Sequence, residues 1–418
     1  MKKLLPILFV LIISSCSKEV PSDQLVERGG VYYEVNSQTG FTGTSISYYG
    51  NGQLKGKITF KDGKLNGLLE MYYQNGQLKE KTYYQDGRLD GNSETYHSNG
   101  ELILKINFND GKPEGIHQKY DSSGNLIEKW NYKNGKKDGL SQTFYKNGKT
   151  KLKLTYKDGI KNGLSENFFE NGELEVKGIF KNGKLEGITE TFYLNGQLES
   201  KTTLKNGEPN GLSERFYDNG KLKLRMSWKN GDFDGSYEDY DENGQLIKKD
   251  TFNNGIKEGP YERYDKGRLV KKGFYKNGEK DGLYIEYFYY LKGLEDQIYQ
   301  KINYKNGEID GIYETYFNNG QLMSRYTYIE GKPDGPNEGY YEDGKLRYKF
   351  EYKKGKRVGS GYEYGSTYDY RYDYKNGDLC GVKHTYNKNG EEVNFSPEPL
   401  SDYDCKMYDL SEYWLREK

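Results

Sequence analysis

Short runs rich in Tyr, Phe, Leu and Thr, broken by charged residues at alternate positions, recur along the chain and stop each time at a glycine. A polar and apolar alternation of period two suits strands, and the stops mark turns. A turn written Lys or Asn, then Asn or Asp, then Gly places its glycine at Gly63, Gly87, Gly111, Gly135, Gly159, Gly183, Gly207, Gly231 and Gly255, at a constant interval of 24. It continues less regularly at Gly278, Gly307, Gly331, Gly355 and Gly377. A second turn, usually Asn-Gly-x-Leu, interleaves at Gly52, Gly76, Gly100, Gly124, Gly148, Gly172, Gly196, Gly220, Gly244, Gly267, Gly320 and Gly344. Asn-Gly is a hairpin signal because both central residues of a type I′ turn need positive φ. The expected fold is therefore all-β: an elongated single-layer antiparallel β-hairpin repeat array of about 14 units of 24 residues, running on the order of 130 Å at ~4.8 Å per strand.

Pairing follows from the turns. In the unit Gly163 to Gly187, a two-residue loop at Asn171-Gly172 places Glu170 against Glu173, Phe169 against Leu174 and Glu166 against Lys177. The same arithmetic joins Glu190 to Lys201 and Glu214 to Arg225 as structural ion pairs, a ladder that pins register. An aromatic column (Tyr72, Tyr96, Phe168, Phe216, Tyr240, Tyr316) and a leucine column (Leu78, Leu102, Leu174, Leu222, Leu246, Leu322) are assigned to opposite faces. A three-residue loop with a bulge would instead bring the aromatics opposite the leucines; the two-residue loop is preferred because it explains the Glu and Lys columns together.

Composition sharpens this picture. The chain has no alanine but 53 Gly and 44 Tyr, which disfavours helices. Lys plus Arg and Asp plus Glu cancel at 63 each, so the net field that would attract nucleic acid is missing. With 33% hydrophobic residues, a thick aliphatic core is not expected.

The two ends read differently. Residues 1–15 have the basic start, apolar stretch and small residues of a secretory signal. Ile13-Ser14-Ser15-Cys16 resembles a bacterial lipobox, which implies lipidation at Cys16 and export to the cell envelope, at the outer membrane or its periplasmic face, with the lipid as the sole membrane attachment. Residues 16–30 then read as a tether, 31–394 as the array and 395–418 as a C-terminal cap. In that cap Tyr403, Met407, Leu410 and Trp414 recur on one face of a short helix started by Ser401. In an oxidising compartment Cys380 and Cys405 are either one staple or two unrelated thiols.

The repeat is irregular in two places. One holds Tyr284, Tyr287, Phe288, Tyr289 and Tyr290; the other holds Tyr368, Tyr370 and Tyr372 on alternate positions of a strand. Both are candidate binding surfaces, and both are also readable as rings packing on their own hairpins. His97, His117 and His384 replace Tyr, Ser or Glu of other repeats, and no Cys or His pair has metal-ligand spacing. No constellation is singular enough for catalysis, so the chain is expected to be non-enzymatic and to need no cofactor.

The residues FKNGKLEG at Phe180 to Gly187 and FYLNGQL at Phe192 to Leu198 resemble the MORN repeat, and more closely its bacterial variant. The resemblance spans about Val31 to Gly390. That variant occurs in exported lipoproteins and in YwqK-like antitoxins, which implies an extended scaffold that binds proteins or neutralises a toxin. A glycan- or envelope-binding adhesin with Tyr-rich hairpins is the alternative.

Overall fold

The computed structural model describes residues 18–288, 293, 296–379 and 383–396. These residues fall into two units, divided so that those up to 198 with 204–207 form one and 199–203 with those from 208 on form the other. From Gly43 onward each unit consists of antiparallel strands laid side by side in chain order, neighbours in sequence being neighbours in the sheet. The fold is all-β, as the turn pattern requires. The expected C-terminal helix lies outside the described residues, as do Cys16, Cys380, Cys405, Tyr289 and Tyr290.

The two corners of a repeat are different turns. At Asn182-Gly183 both residues have positive φ, 51° and 84°, and Lys181 sits directly across from Lys184. This is the two-residue type I′ corner. At Asn171-Gly172 only the glycine takes positive φ, at 91°. There the Gly172 N–H donates to the Phe169 carbonyl (2.8 Å), and the Phe169 N–H to that of Glu173 (2.8 Å). That is a three-residue loop closed by a glycine bulge, so the expected pairs Phe169–Leu174 and Glu170–Glu173 are replaced by Phe168 opposite Leu174. A second irregularity, between Asn167 and Phe168, shifts the register back and leaves Glu166 facing Lys177. The physical reason lies in the Asn171 side chain, whose Oδ1 accepts the Glu173 N–H at 2.9 Å and so caps a turn that needs one left-handed residue instead of two.

Each repeat has a third special glycine. Gly163, at φ 117°, sits where the pairing jumps from Leu154–Ser165 to Tyr156–Lys161, and a Cβ there would lie 3.0 Å from Thr155 Cβ. Only glycine fits such a bulge without strain.

Strand partners share a face. Phe168 opposite Leu174 therefore puts the aromatic and leucine columns on one face with the Glu and Lys ladder, correcting their assignment to opposite faces. The other face holds a second aromatic column three residues before the type I′ glycines, including Phe60, Tyr156, Phe180, Phe252 and Tyr304, with Leu204 taking the place once. Lysines cover these rings: Lys161 over Phe180 at 5.1 Å, Lys257 over Tyr275 at 4.9 Å and Lys280 over Tyr304 at 4.9 Å. What core exists is on this face, as Tyr261, Tyr284 and Ile302 in the second unit.

Repeats are stapled to one another by side chains that the 24-residue period aligns. Tyr145 Oη donates to the Phe168 carbonyl at 2.7 Å and Asn147 Nδ2 to that of Glu170 at 2.9 Å; Tyr217 and Asn219 repeat both bonds on Tyr240 and Glu242. At the opposite corners the Gly183 N–H donates to the Lys161 carbonyl at 2.9 Å.

Residues 19–28, expected within a tether, instead close the start of the array. β1 (Glu19–Pro21) pairs in parallel with β4 (Gly43–Tyr48), while β2 (Leu25–Arg28) and β3 (Val31–Glu34) form a separate hairpin. Val20 is buried with Phe41 and Phe60. An apolar valine next to an unpaired sheet edge gains burial and pairing that a solvated linker would forgo.

Candidate binding surfaces

The charged face is a continuous zipper wherever it is fully populated. Arg225 donates to Glu214 Oε1 from both Nε and Nη2 at 3.1 Å and reaches Glu238 Oε2 at 3.5 Å, and Lys249 meets Glu238 Oε1 at 3.6 Å. Glu166 faces Lys177 on one side and ion-pairs with Lys153 on the other at 3.5 Å. Lys177 in turn faces Glu190. Tyrosines of the first aromatic column seal the zipper: Tyr96 Oη donates to Glu94 Oε2 at 2.8 Å and Tyr340 Oη to Glu338 Oε2 at 2.8 Å. Hydrogen bonds from Lys349 and Tyr340 hold the Glu338 carboxyl below its ordinary pKa, and the Lys105 hydrogen bond does the same for Glu94. Burial, reinforced by Glu94, pushes the Tyr96 phenol up to about 12. These carboxylates are engaged in the lattice of the sheet, and among the described residues no group of His, Cys, Asp and Glu is placed to hold a metal ion.

The two tyrosine clusters are largely occupied with themselves. Tyr284 is 7% exposed, its hydroxyl donates to Glu286 at 2.8 Å, and its ring meets that of Tyr304. Phe288 packs edge-on against Tyr299 at 5.3 Å, and Lys272 lies over Tyr287 at 6.0 Å. Tyr372 is also 7% exposed and stands with Tyr374 against Phe350, while Arg357 is hemmed in by the Phe350, Tyr352 and Tyr374 rings. Tyr284 and Tyr372 are thus packing residues, and among the described residues of the two clusters Tyr368, at 42%, is the exposed one. Tyr370 and Tyr372 lie in the strand Asp369–Lys375, Tyr370 opposite Glu363 and Thr385, whereas Tyr368 falls just before that strand instead of on it.

A surface that the tyrosine reading missed lies on the charged face of the first unit. Ile116, Leu140, Leu164 and Ile188 each follow a bulge glycine at intervals of 24 and are 40–53% exposed. Register places Asn131, Thr155 and Ile179 between them, giving one row across seven strands. Two residues to either side along those strands stand lysines: Lys129 and Lys133 flank Asn131, Lys153 and Lys157 flank Thr155, and Lys177 and Lys181 flank Ile179. The sequence signal for the row is a Gly followed by Ile or Leu four residues after each type I′ glycine.

This geometry defines a class: repeat proteins built by apposing near-identical β-hairpins, whose surfaces are columns of equivalent positions. The MORN repeat variant pattern matches eleven segments, 41–62, 65–86, 89–110, 113–134, 137–158, 161–182, 185–206, 209–230, 233–254, 309–330 and 333–354, more than half of the chain. The chain belongs to the MORN repeat variant family. No curated protein matches it. Among solved structures it is similar to the TcdB2–TccC3–Cdc42 complex, at 11% identity over 86% of this chain and 26% of that one, with a TM-score of 0.15. It is also similar to BamB from Moraxella catarrhalis, at 12% identity over 85% and 87%, with a TM-score of 0.11. The chain thus spans about a quarter of the length of the first of these, and TM-scores so low carry no argument about fold or function.

Proposed function

We propose that the chain is a non-catalytic, lipid-anchored scaffold of the bacterial cell envelope that binds a protein partner through its hairpin array, with a YwqK-like antitoxin or immunity role as a special case. The observation that carries this is the exposed aliphatic row from Ile116 to Ile188. Solvent-facing aliphatics aligned at one position per repeat, with Asn131, Thr155 and Ile179 between them, form an exposed row of apolar side chains, and exposed apolar surface of this kind is where partners are received. The alternative, a glycan-binding adhesin, would draw on the half-exposed Tyr287 and Phe288 and on Tyr368, since the rings of Tyr284 and Tyr372 are buried. Cross-linking mass spectrometry on intact cells tests the proposal. It expects cross-links from Lys129, Lys133, Lys157 and Lys181 to one protein at stoichiometric yield; recovery of no protein would count against it.

A further inference from the structure

We infer that the aliphatic row of the first unit is a seat for an acidic amphipathic helix of the partner, lying across the strands. The inference rests on the protein-binding reading and specifies the partner's chemistry. Charge is the first argument. Where the ladder is fully populated it alternates acid and base, and Lys153 and Lys177 are matched by Glu166 and Glu190, but Lys129 stands between Gln118 and Gln142, so no acid lies directly across from it. At the type I′ corners Lys133 is directly opposite Lys136, and Lys181 opposite Lys184. Like charges placed so, as also at Lys61–Lys64 and Lys353–Lys356, are destabilising, a cost that an anionic occupant would offset. The carboxylates of Glu114, Asp138 and Glu186 are tied to turn backbones, accepting the N–H groups of Asn134, Asp158 and Asn206 at 2.7, 3.1 and 2.8 Å.

Dimensions are the second argument. Four residues along a strand separate the two lysine rows by roughly 13–14 Å, enough to straddle a helix of about 10–12 Å diameter. Exposed aliphatics on every second strand recur at ~9.6 Å, close to the ~10.5 Å rise of one heptad. An extended peptide would present same-side residues about every 6.8 Å and fall out of step. From Ile116 to Ile188 the row crosses six strand spacings, about 29 Å, the length of a helix of about 20 residues.

The test uses the full chain and a fluorescently labelled synthetic peptide of about 20 residues, with Leu at heptad positions a and d and Glu at e and g, read by anisotropy. A scrambled peptide of the same composition, a peptide with Lys replacing Glu, and phosphatidylglycerol vesicles are run beside it. The expected result is saturable binding of the acidic helix alone. Binding should weaken at least about tenfold both for Leu140→Asn with Leu164→Asn and for Lys133→Gln with Lys157→Gln and Lys181→Gln. Asn92 and Ser236 occupy the same repeat position as the two leucines, so the array tolerates polar residues there, and circular dichroism checks that it has. Equal binding of the scrambled peptide, indifference to both sets of substitutions, or vesicle binding in place of peptide binding would each overturn the inference. A cellular protein cross-linked equally well by wild type and both variants would sink the helix seat while leaving the scaffold reading standing. Recovery of no protein would sink the latter.

Discussion

Glycines with similar φ need not resist substitution for the same reason. Gly163 at φ 117° would bring its Cβ against Thr155, whereas Gly187 at φ 80° has open space around it. Gly163→Ala therefore combines steric conflict with backbone strain and is expected to cost more than Gly187→Ala, the latter on the order of 1–2 kcal/mol. Urea titration of the two variants gives the difference. The ladder makes a second prediction at this scale. Glu94 and Glu338 have pKa values held below 4.5 in the folded chain, so the unfolded chain takes up protons first as acid is added. Their contribution is complete above 4.5 and fades as pH falls through the lowered folded values. Glu338→Gln should flatten the acid limb of a stability-against-pH curve. Tyr96 acts in the opposite sense: its phenol ionises at about 12 instead of 10, so its share of stability is complete below 10 and declines above it.

At the scale of the strand and turn, the staples dictate what can be removed. Tyr145 reaches Phe168, Asn147 reaches Glu170 and Gly183 reaches Lys161, all across one repeat. Deleting residues 161–184, a whole repeat, brings equivalent partners back into place and should leave the circular dichroism spectrum and cooperative melting largely intact. Deleting half as many would set a type I′ corner where a bulged one belongs, and melting should lose cooperativity. The period and the Glu–Lys pairing were legible in the sequence because turns and charges repeat without interruption. The corner type was not. A three-residue loop moves the register by one and the irregularity at Asn167 moves it back, so counting from either loop ends at Glu166 opposite Lys177. Nor was the fate of the tyrosines legible: in a chain so rich in them, a cluster such as Tyr284 with Tyr304 looks the same in sequence whether its rings face water or each other. The aliphatic row was present in the sequence as Ile or Leu after every bulge glycine from Ile116 to Ile188, but its exposure emerges only once the strands have a register.

Across the whole chain, lipidation at Cys16 is checked by growth on an alkyne-tagged fatty acid: wild type should carry the label, and Cys16→Ser should lose it. On that anchoring, the placement of Glu19–Pro21 beside Gly43–Tyr48 has a mechanical consequence. Were Cys16 to carry the proposed lipid, only two residues of sequence would lie between it and the hydrogen-bonded strand, a leash of no more than about 10 Å. On the proposed anchoring, the strand Glu19–Pro21 would serve as a footplate that limits how far the first repeats, and any partner docked on them, could swing over the bilayer. Lengthening the leash with a Gly-Ser insert between Lys18 and Glu19 should relax that heading, seen as a wider spread of distances from a dye on the first hairpin to labelled headgroups.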